Sequence, residues 1–192
     1  MSQADRRKWD GRYRETGGPE FPPHEFVLRA EPVLPTRGCA FDVAGGVGNH
    51  ALWLARRGLD VTLADISQVA LDIARERAFA HGLALKLVEL DFDVDPLPQG
   101  TWDVILCSYF LDRALYRTFA PALSASGLLL IMHPTVKTLE RSPKPSREHL
   151  LNDGELLELV GDLDVLDYEE GWRGQSRHEA RLLGRRRAGL TS

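Results

Sequence analysis

The sequence of 192 residues has few cysteines, no long apolar run and no excess of positive charge. Cys39 and Cys107 both lie inside apolar segments, so we expect reduced, buried side chains rather than a disulfide framework or a cysteine-rich metal site. The longest purely apolar run, 128–132, is too short to cross a bilayer, and the N-terminus has no apolar core of a signal peptide. These absences predict a cytoplasmic protein without a membrane segment.

The charge balance also limits the partners. A formal net charge of −4 and an isoelectric point near 5.9 argue against broad contact with a phosphate backbone, so nucleic acid is disfavoured. A chain that is 43% hydrophobic and of this length predicts one domain. We expect four parts within it: an N-terminal helical extension (1–35), a core (36–133), a loop with a helix and a hairpin (134–186), and a tail (187–192).

Apolar segments alternate with helical patterns through most of the chain. The predicted strands are 39–44, 60–65, 84–90, 102–109 and 127–133, and the predicted helices between them are 48–57, 67–81 and 112–124. Two more strands, 162–172 and 178–186, are separated by a short turn and predict an antiparallel hairpin at the sheet edge, protected by its charges. The pattern is typical of an α/β fold with a doubly wound, mostly parallel, seven-stranded Rossmann-like sheet.

A glycine loop follows the first predicted strand. Gly46, Gly48 and Ala51 meet the spacing G-x-G-x-x-G/A of a dinucleotide site, and Asp65 lies 19 residues after Gly46, where an acid holds ribose hydroxyls. Alone, this spacing is a weak signal that a nicotinamide-binding oxidoreductase would also show.

Asp42 favours a different ligand. It ends the strand just before the loop, where a buried carboxylate would repel a pyrophosphate and suit a cation. S-adenosylmethionine has both of the required groups: a ribose that Asp65 would bind and an ammonium group that Asp42 would attract. The chain has no Tyr-x-x-x-Lys pair and no room for a separate catalytic domain, which argues against the oxidoreductase alternative.

Residues 39–133 resemble the cofactor domain of class I S-adenosylmethionine-dependent methyltransferases. "DVAGGVG" resembles their D/E-x-G-x-G-x-G, "VTLADIS" their second strand ending in an acid, and "VELDFDVDPLP" with "WDVILCSYFL" their third and fourth strands. The three matches occur in the expected order. One departure is Ala44, which stands where the pattern has its first glycine.

The resemblance implies S-adenosylmethionine as cofactor and a set of contacts. Asp42 would lie near the methionine amino group, Asp65 would accept from both ribose hydroxyls, and Asp91 would accept from the adenine amino group. Further cofactor contacts are implied for loop and strand-end residues: Ala44, Gly45, Gly46, Gly48, Asn49, Ile66, Phe92 and Ser108.

The N-terminal "KWDGRY" segment is similar to one found in methyltransferases of the tellurite-resistance and thiopurine types. There a W-D-x-R-Y-like segment covers the cofactor, which implies that Trp9 and Tyr13 form a lid that excludes water. A plain docking helix is the alternative.

Methyl transfer from a sulfonium is an in-line displacement that needs alignment and no metal. The candidate bases are His24, His133, Tyr109 and Asp112. His133 is best placed, at the end of the fifth strand, and a histidine with a structural hydrogen bond is the alternative there. Ser108 and Tyr109 would face the methyl group, so His133 and Tyr109 are the catalytic candidates.

The acceptor predicted from the sequence is a small molecule, such as a thiol or another soft nucleophile. "CSYFL" stands after the fourth strand, where base-amino methyltransferases carry Asn/Asp-Pro-Pro-Tyr/Phe, so an RNA methyltransferase is disfavoured. A module that binds S-adenosylmethionine or S-adenosylhomocysteine without turnover remains an alternative. The sequence is compatible with a monomer or a homodimer.

Overall fold

The computed structural model describes residues 3–187, so most of the predicted tail lies outside the described residues. The seven strands form one sheet with parallel strands and an antiparallel C-terminal pair, which confirms the predicted α/β fold. The chain divides after Asp103 into two compact units, and the four-part division of one domain stays a prediction. Within 3–187 no helix is long and apolar enough to span a membrane.

The first unit holds three parallel strands and the helices that follow them. The pairing of Asp42 with Leu63 and of Asp65 with Glu89 shows that these strands run in register, so their carboxyl ends share one edge. The elements are α1 (Gln3–Thr16), α2 (Glu25–Arg29), β1 (Cys39–Val43), α3 (Asn49–Arg56), β2 (Asp60–Asp65), α4 (Gln68–Ala80) and β3 (Lys86–Glu89).

Helix α2, in the N-terminal extension predicted over 1–35, has only five residues. It ends at Arg29 and is followed by a 3₁₀ turn, Glu31–Val33. Pro32 explains the break, because proline has no N–H to donate to a helical hydrogen bond.

The second unit contains the antiparallel part of the sheet, and β4 begins just before the division between the units. Its elements are β4 (Trp102–Ser108), α5 (Arg113–Ala122), β5 (Leu123–Pro134), α6 (Glu155–Leu159), β6 (Leu163–Arg173) and β7 (Arg177–Arg186). β5 begins four residues earlier than predicted, where the Arg186 guanidinium of β7 donates to the Leu123 carbonyl.

The C-terminal hairpin is confirmed, but one expectation about its exposure is wrong. The strand order is β3-β2-β1-β4-β5-β7-β6, and β7 pairs antiparallel with both β5 and β6, so of the two hairpin strands only β6 lies at an edge of the sheet. The charges of β7 near its start therefore do not protect an edge. Glu179 and Arg181 are buried instead.

Candidate functional site

The glycine loop joins β1 to α3 through a backbone that favours residues without a side chain. Ala44, Gly46 and Gly48 all have positive φ, at 50°, 57° and 80°. The left-handed conformation costs an alanine about 1 kcal/mol, which explains why glycine occupies the position of Ala44 in the pattern that this loop resembles. The Gly45 N–H donates to the Ala64 carbonyl at 3.1 Å and ties the loop to the end of β2.

Asp42 lies under this loop and is fully buried. Neither carboxylate oxygen has a hydrogen-bond partner in the described structure. Burial raises the pKa of Asp42 to about 8, the charge of Asp65 adds to the rise, and the nearby Ala51 amide opposes part of it. A Cβ at Gly45 would lie 2.5 Å from Asp42 Oδ2, so the loop requires glycine there. The arrangement disfavours an anion and would be stabilised by a cation.

Asp65 connects the end of β2 to the loop and to the next helix. Its Oδ2 accepts from the Gly46 N–H at 2.8 Å, and its Oδ1 accepts from the Ser67 N–H at 2.9 Å. Burial raises the pKa of Asp65, although these N–H groups oppose the rise. A carboxylate has about four acceptor positions, so each oxygen retains capacity for a ligand hydroxyl.

Helix α1 covers the glycine loop. A Cβ placed on Gly46 would lie 2.6 Å from the Tyr13 hydroxyl oxygen, so the phenol rests directly on the loop. Ser67 Oγ donates to Asp10 Oδ1 at 2.6 Å and fastens α1 to the start of α4. Trp9 stacks on Tyr13 with ring centroids 5.9 Å apart. Both predicted lid residues therefore lie on the helix that covers the loop, and their contact with a cofactor stays a prediction.

Burial raises the pKa of Tyr13 to about 12, and the negative charge of Asp65 adds to this rise. The phenol is therefore neutral at physiological pH. A neutral hydroxyl beside a buried carboxylate is suited to hydrogen bonding rather than to proton removal.

Replacing Gly46 with alanine should push Tyr13 away and loosen α1. Alanine at Gly82 is a matched control, because Gly82 also has a positive φ, 64°, and a Cβ there meets open space. Both variants carry a backbone cost of about 1 kcal/mol. We expect faster amide hydrogen exchange in residues 3–16 only for Gly46→Ala. Equal exchange of α1 in the two variants would contradict the packing of Tyr13 on the loop.

The other predicted cofactor residues of this unit follow the glycine loop, β2 or β3 along the chain. The Asp91 carboxylate accepts from the Asp93 N–H at 3.1 Å, which is a local turn contact. Phe92 and Ile66 are buried. The Asn49 side-chain amide donates to the Pro19 carbonyl at 3.3 Å. The binding roles of these four residues stay predictions.

Tyr109, one of the two predicted catalytic residues, lies in the second unit with an unusual backbone conformation. It directly follows Ser108, the last residue of β4, and has a φ of 59°, which is unusual for a bulky side chain. Its N–H donates to the Met132 carbonyl at 2.9 Å, which places it beside β5. Its hydroxyl donates to Glu179 Oε1 at 3.0 Å.

His133 is buried near the end of β5. Its Nε2 lies 2.9 Å from the His149 carbonyl, and because a carbonyl only accepts, this nitrogen carries the proton. Its Nδ1 has no partner among residues 3–187. Burial lowers the pKa of His133 to about 4. The ring is therefore a neutral hydrogen-bond acceptor and a weaker base than the sequence suggests.

Sequence reasoning missed Glu179. It is fully buried on β7, opposite Pro134 at the end of β5, and its Oε2 accepts from Arg181 Nε at 3.2 Å. The available signal was an acid and an arginine two residues apart in a strand, "HEARLLG", which places both on one face.

Comparisons with known proteins agree with this geometry. Residues 40–126 match a family model described as a methyltransferase domain. The matched segment includes the glycine loop and the strands β2, β3 and β4. The family predicted from the glycine loop and the acidic strand ends is thus confirmed, with S-adenosylmethionine as the cofactor of that family.

The methyltransferase domain has a curated relative in Thermus thermophilus, a demethylmenaquinone methyltransferase. The two are 36% identical over 91 residues, which is 42% of this chain and 41% of the relative. The chain therefore spans about two fifths of the length of this relative.

Solved structures share the fold. TehB from Haemophilus influenzae has a TM-score of 0.74 at 18% identity, over 93% of this chain and 67% of that one. Magnesium protoporphyrin IX methyltransferase from Synechocystis, solved with bound S-adenosylhomocysteine, has a TM-score of 0.66 at 18% identity, over 84% of this chain and 80% of that one.

Proposed function

We propose that this chain transfers a methyl group from S-adenosylmethionine to a small-molecule acceptor. The observation that carries the proposal is the position of Asp65. Its buried carboxylate is held by the Gly46 and Ser67 N–H groups at the edge of the glycine loop, with acceptor capacity left for two ribose hydroxyls.

The residues of the first unit fit this cofactor better than a dinucleotide. Asp42 is fully buried, and its oxygens have no partner among the described residues. With a pKa of about 8, Asp42 is mostly protonated at neutral pH; a pyrophosphate nearby would disfavour its ionised form further, whereas a cation would stabilise that form. S-adenosylmethionine has a sulfonium and an ammonium group, and a positive charge near Asp42 would stabilise its carboxylate.

The residues in and around the loop would then have separate roles. When bound, S-adenosylmethionine supplies a methyl group on a positively charged sulfur, ready for displacement by a nucleophile. Asp42 would stabilise the methionine end electrostatically, Asp65 would accept from the ribose, and Tyr13 would exclude water from above Gly46. The side chains that would surround the adenine are Ile66, Asp91 and Phe92.

The acceptor that we propose is a small molecule with a soft nucleophile, such as a thiol. The Thermus and Synechocystis proteins above are named for demethylmenaquinone and for magnesium protoporphyrin IX, which are small organic molecules. An acidic chain with a net charge of −4 also favours a small acceptor over a nucleic acid.

The test is formation of S-adenosylhomocysteine, followed by mass spectrometry, with thiols, hydroquinones and amines offered as acceptors. We expect S-adenosylhomocysteine and a methylated product in equal amounts with at least one soft nucleophile. Binding of S-adenosylmethionine without turnover of any acceptor would favour a binding module and contradict the proposed activity.

A further inference from the structure

The surroundings of Asp42 do little to stabilise a negative charge. Its side chain has no exposure to solvent, and neither oxygen has a hydrogen-bond partner among residues 3–187. A Cβ built on Gly45 would lie 2.5 Å from Asp42 Oδ2 and would also clash with Leu63, so the loop backbone lies directly against the carboxyl group. An ionised carboxylate is strongly disfavoured in such a place, and the neutral acid is the stable form in the absence of a ligand.

The neighbouring strand and helices favour the same form. Burial is the main reason that the pKa of Asp42 is raised to about 8, and the negative charge of Asp65 on β2 contributes to the rise. The N–H of Ala51 on α3 opposes part of it. On α1, Asp10 accepts from Ser67 Oγ, and its charge contributes to the rise in the pKa of Asp65.

Two other titratable groups beside the loop keep one protonation state between pH 6 and pH 8. On α1, Tyr13 has a pKa raised to about 12 by burial, with the exposed Arg12 opposing the rise. On α3, the pKa of His50 is lowered to about 4 by burial. Neither group therefore gains or loses a proton in the range in which Asp42 does.

We propose that Asp42 is protonated in the ligand-free protein and ionises when a cationic ligand binds at the glycine loop, which makes it a specificity-determining residue for S-adenosylmethionine over S-adenosylhomocysteine. The inference rests on the proposed function and adds a reason why the cofactor is preferred to its product. The two ligands share the adenine, ribose, ammonium and carboxylate groups, but only S-adenosylmethionine has a positively charged sulfur. That extra charge favours the carboxylate form of Asp42.

The proposal implies that one proton leaves and returns in each cycle. When S-adenosylmethionine binds, the O–H bond of the Asp42 carboxyl group breaks, the electron pair stays on oxygen and the proton passes to solvent. After methyl transfer the sulfonium charge is gone, and the carboxylate takes a proton back from solvent. The attraction between Asp42 and the ligand is thus present before the transfer and lost after it.

Isothermal titration in phosphate and in Tris counts the protons released on binding, because the two buffers differ in ionisation enthalpy. At pH 7 a group with a pKa of about 8 is about nine-tenths protonated. We therefore expect Asp42 to release up to about 0.9 proton with S-adenosylmethionine and less than about half as much with S-adenosylhomocysteine. Protons linked to the ribose contact of Asp65 are common to both ligands and cancel in the difference. Equal proton release with the two ligands would overturn the proposal.

Asp42→Asn identifies the group that releases the proton. Asparagine keeps the shape of the side chain but has no acidic proton, so the release with S-adenosylmethionine should fall by up to about 0.9 proton at pH 7. Subtracting the variant from the wild type also removes any proton lost by the amino group of the ligand. Asp60→Asn, at an exposed acid on β2, is the matched control and should behave as the wild type. Unchanged proton release in Asp42→Asn would contradict the inference.

The ratio of the two affinities gives a second measurement without turnover. Because binding releases a proton, the affinity of the wild type for S-adenosylmethionine should rise up to about tenfold from pH 6 to pH 7, and that for S-adenosylhomocysteine less than about threefold. In Asp42→Asn the ratio should be nearly independent of pH. A constant ratio in the wild type would overturn the inference and leave the proposed function standing, whereas a wild type that binds neither ligand would contradict both.

Discussion

The ligand-free protein should become less stable as the pH rises from about 5 to about 8, and replacing Asp42 with asparagine should remove the part of this loss that is due to Asp42. Burial raises the pKa of Asp42 to about 8 from its ordinary 3.8. Between these values the native state holds a proton that the unfolded chain has lost, so the free energy of unfolding falls as pH rises. For one such proton, the free energy of unfolding falls by up to ~1.4 kcal/mol for each pH unit.

Urea denaturation at several pH values between about 5 and about 8 measures this effect. Asp42→Asn should match the wild type at the acid end and exceed it at the alkaline end. Some slope should remain in the variant because the pKa of Asp65 is raised as well. Asp60→Asn, at an exposed acid on β2, is the control and should follow the wild type. If the free energy of unfolding depends on pH in the same way for wild type and Asp42→Asn, the raised pKa of Asp42 is contradicted.

The affinity for S-adenosylmethionine should drop at least tenfold, about 1.4 kcal/mol, when Asp65 is replaced by alanine. The substitution removes the acceptor for the ribose hydroxyls and also the group that holds the Gly46 and Ser67 N–H groups. Isothermal titration of the ligand-stripped protein measures the loss.

Asp65→Asn separates the ligand contact from the support of the loop. Asparagine keeps the shape of the side chain and one acceptor oxygen, so the loop should stay in place while one charge-assisted contact is lost. We expect an affinity between those of the wild type and Asp65→Ala. An affinity equal to that of the wild type in both folded variants would remove Asp65 from the site.

Features of the site that depend on neighbouring residues were predictable. The glycine loop and Asp65 belong to one βαβ unit, in which the spacing along the chain fixes the spacing in space. The cap of α4 is local too, and Ser67 Oγ accepts from the Ala70 N–H at 3.2 Å as its type and position indicate.

Contacts between distant parts of the chain were not predictable. Tyr109 and Glu179 are 70 residues apart, and Asp10 and Ser67 are 57 residues apart. No local pattern encodes such pairs, because they depend on the order of strands in the sheet. The same reason explains the error about β7, since the sequence shows a hairpin but not which of its strands lies next to β5.

Isothermal titration of the ligand-stripped protein with S-adenosylmethionine, S-adenosylhomocysteine and NAD, in separate runs, tests the central claim most directly. The geometry of Asp42 and Asp65 predicts dissociation constants in the micromolar range for the first two and no heat of binding for NAD. Binding of NAD alone would mean that the loop accepts a pyrophosphate despite the buried Asp42, and it would contradict the assignment of the cofactor.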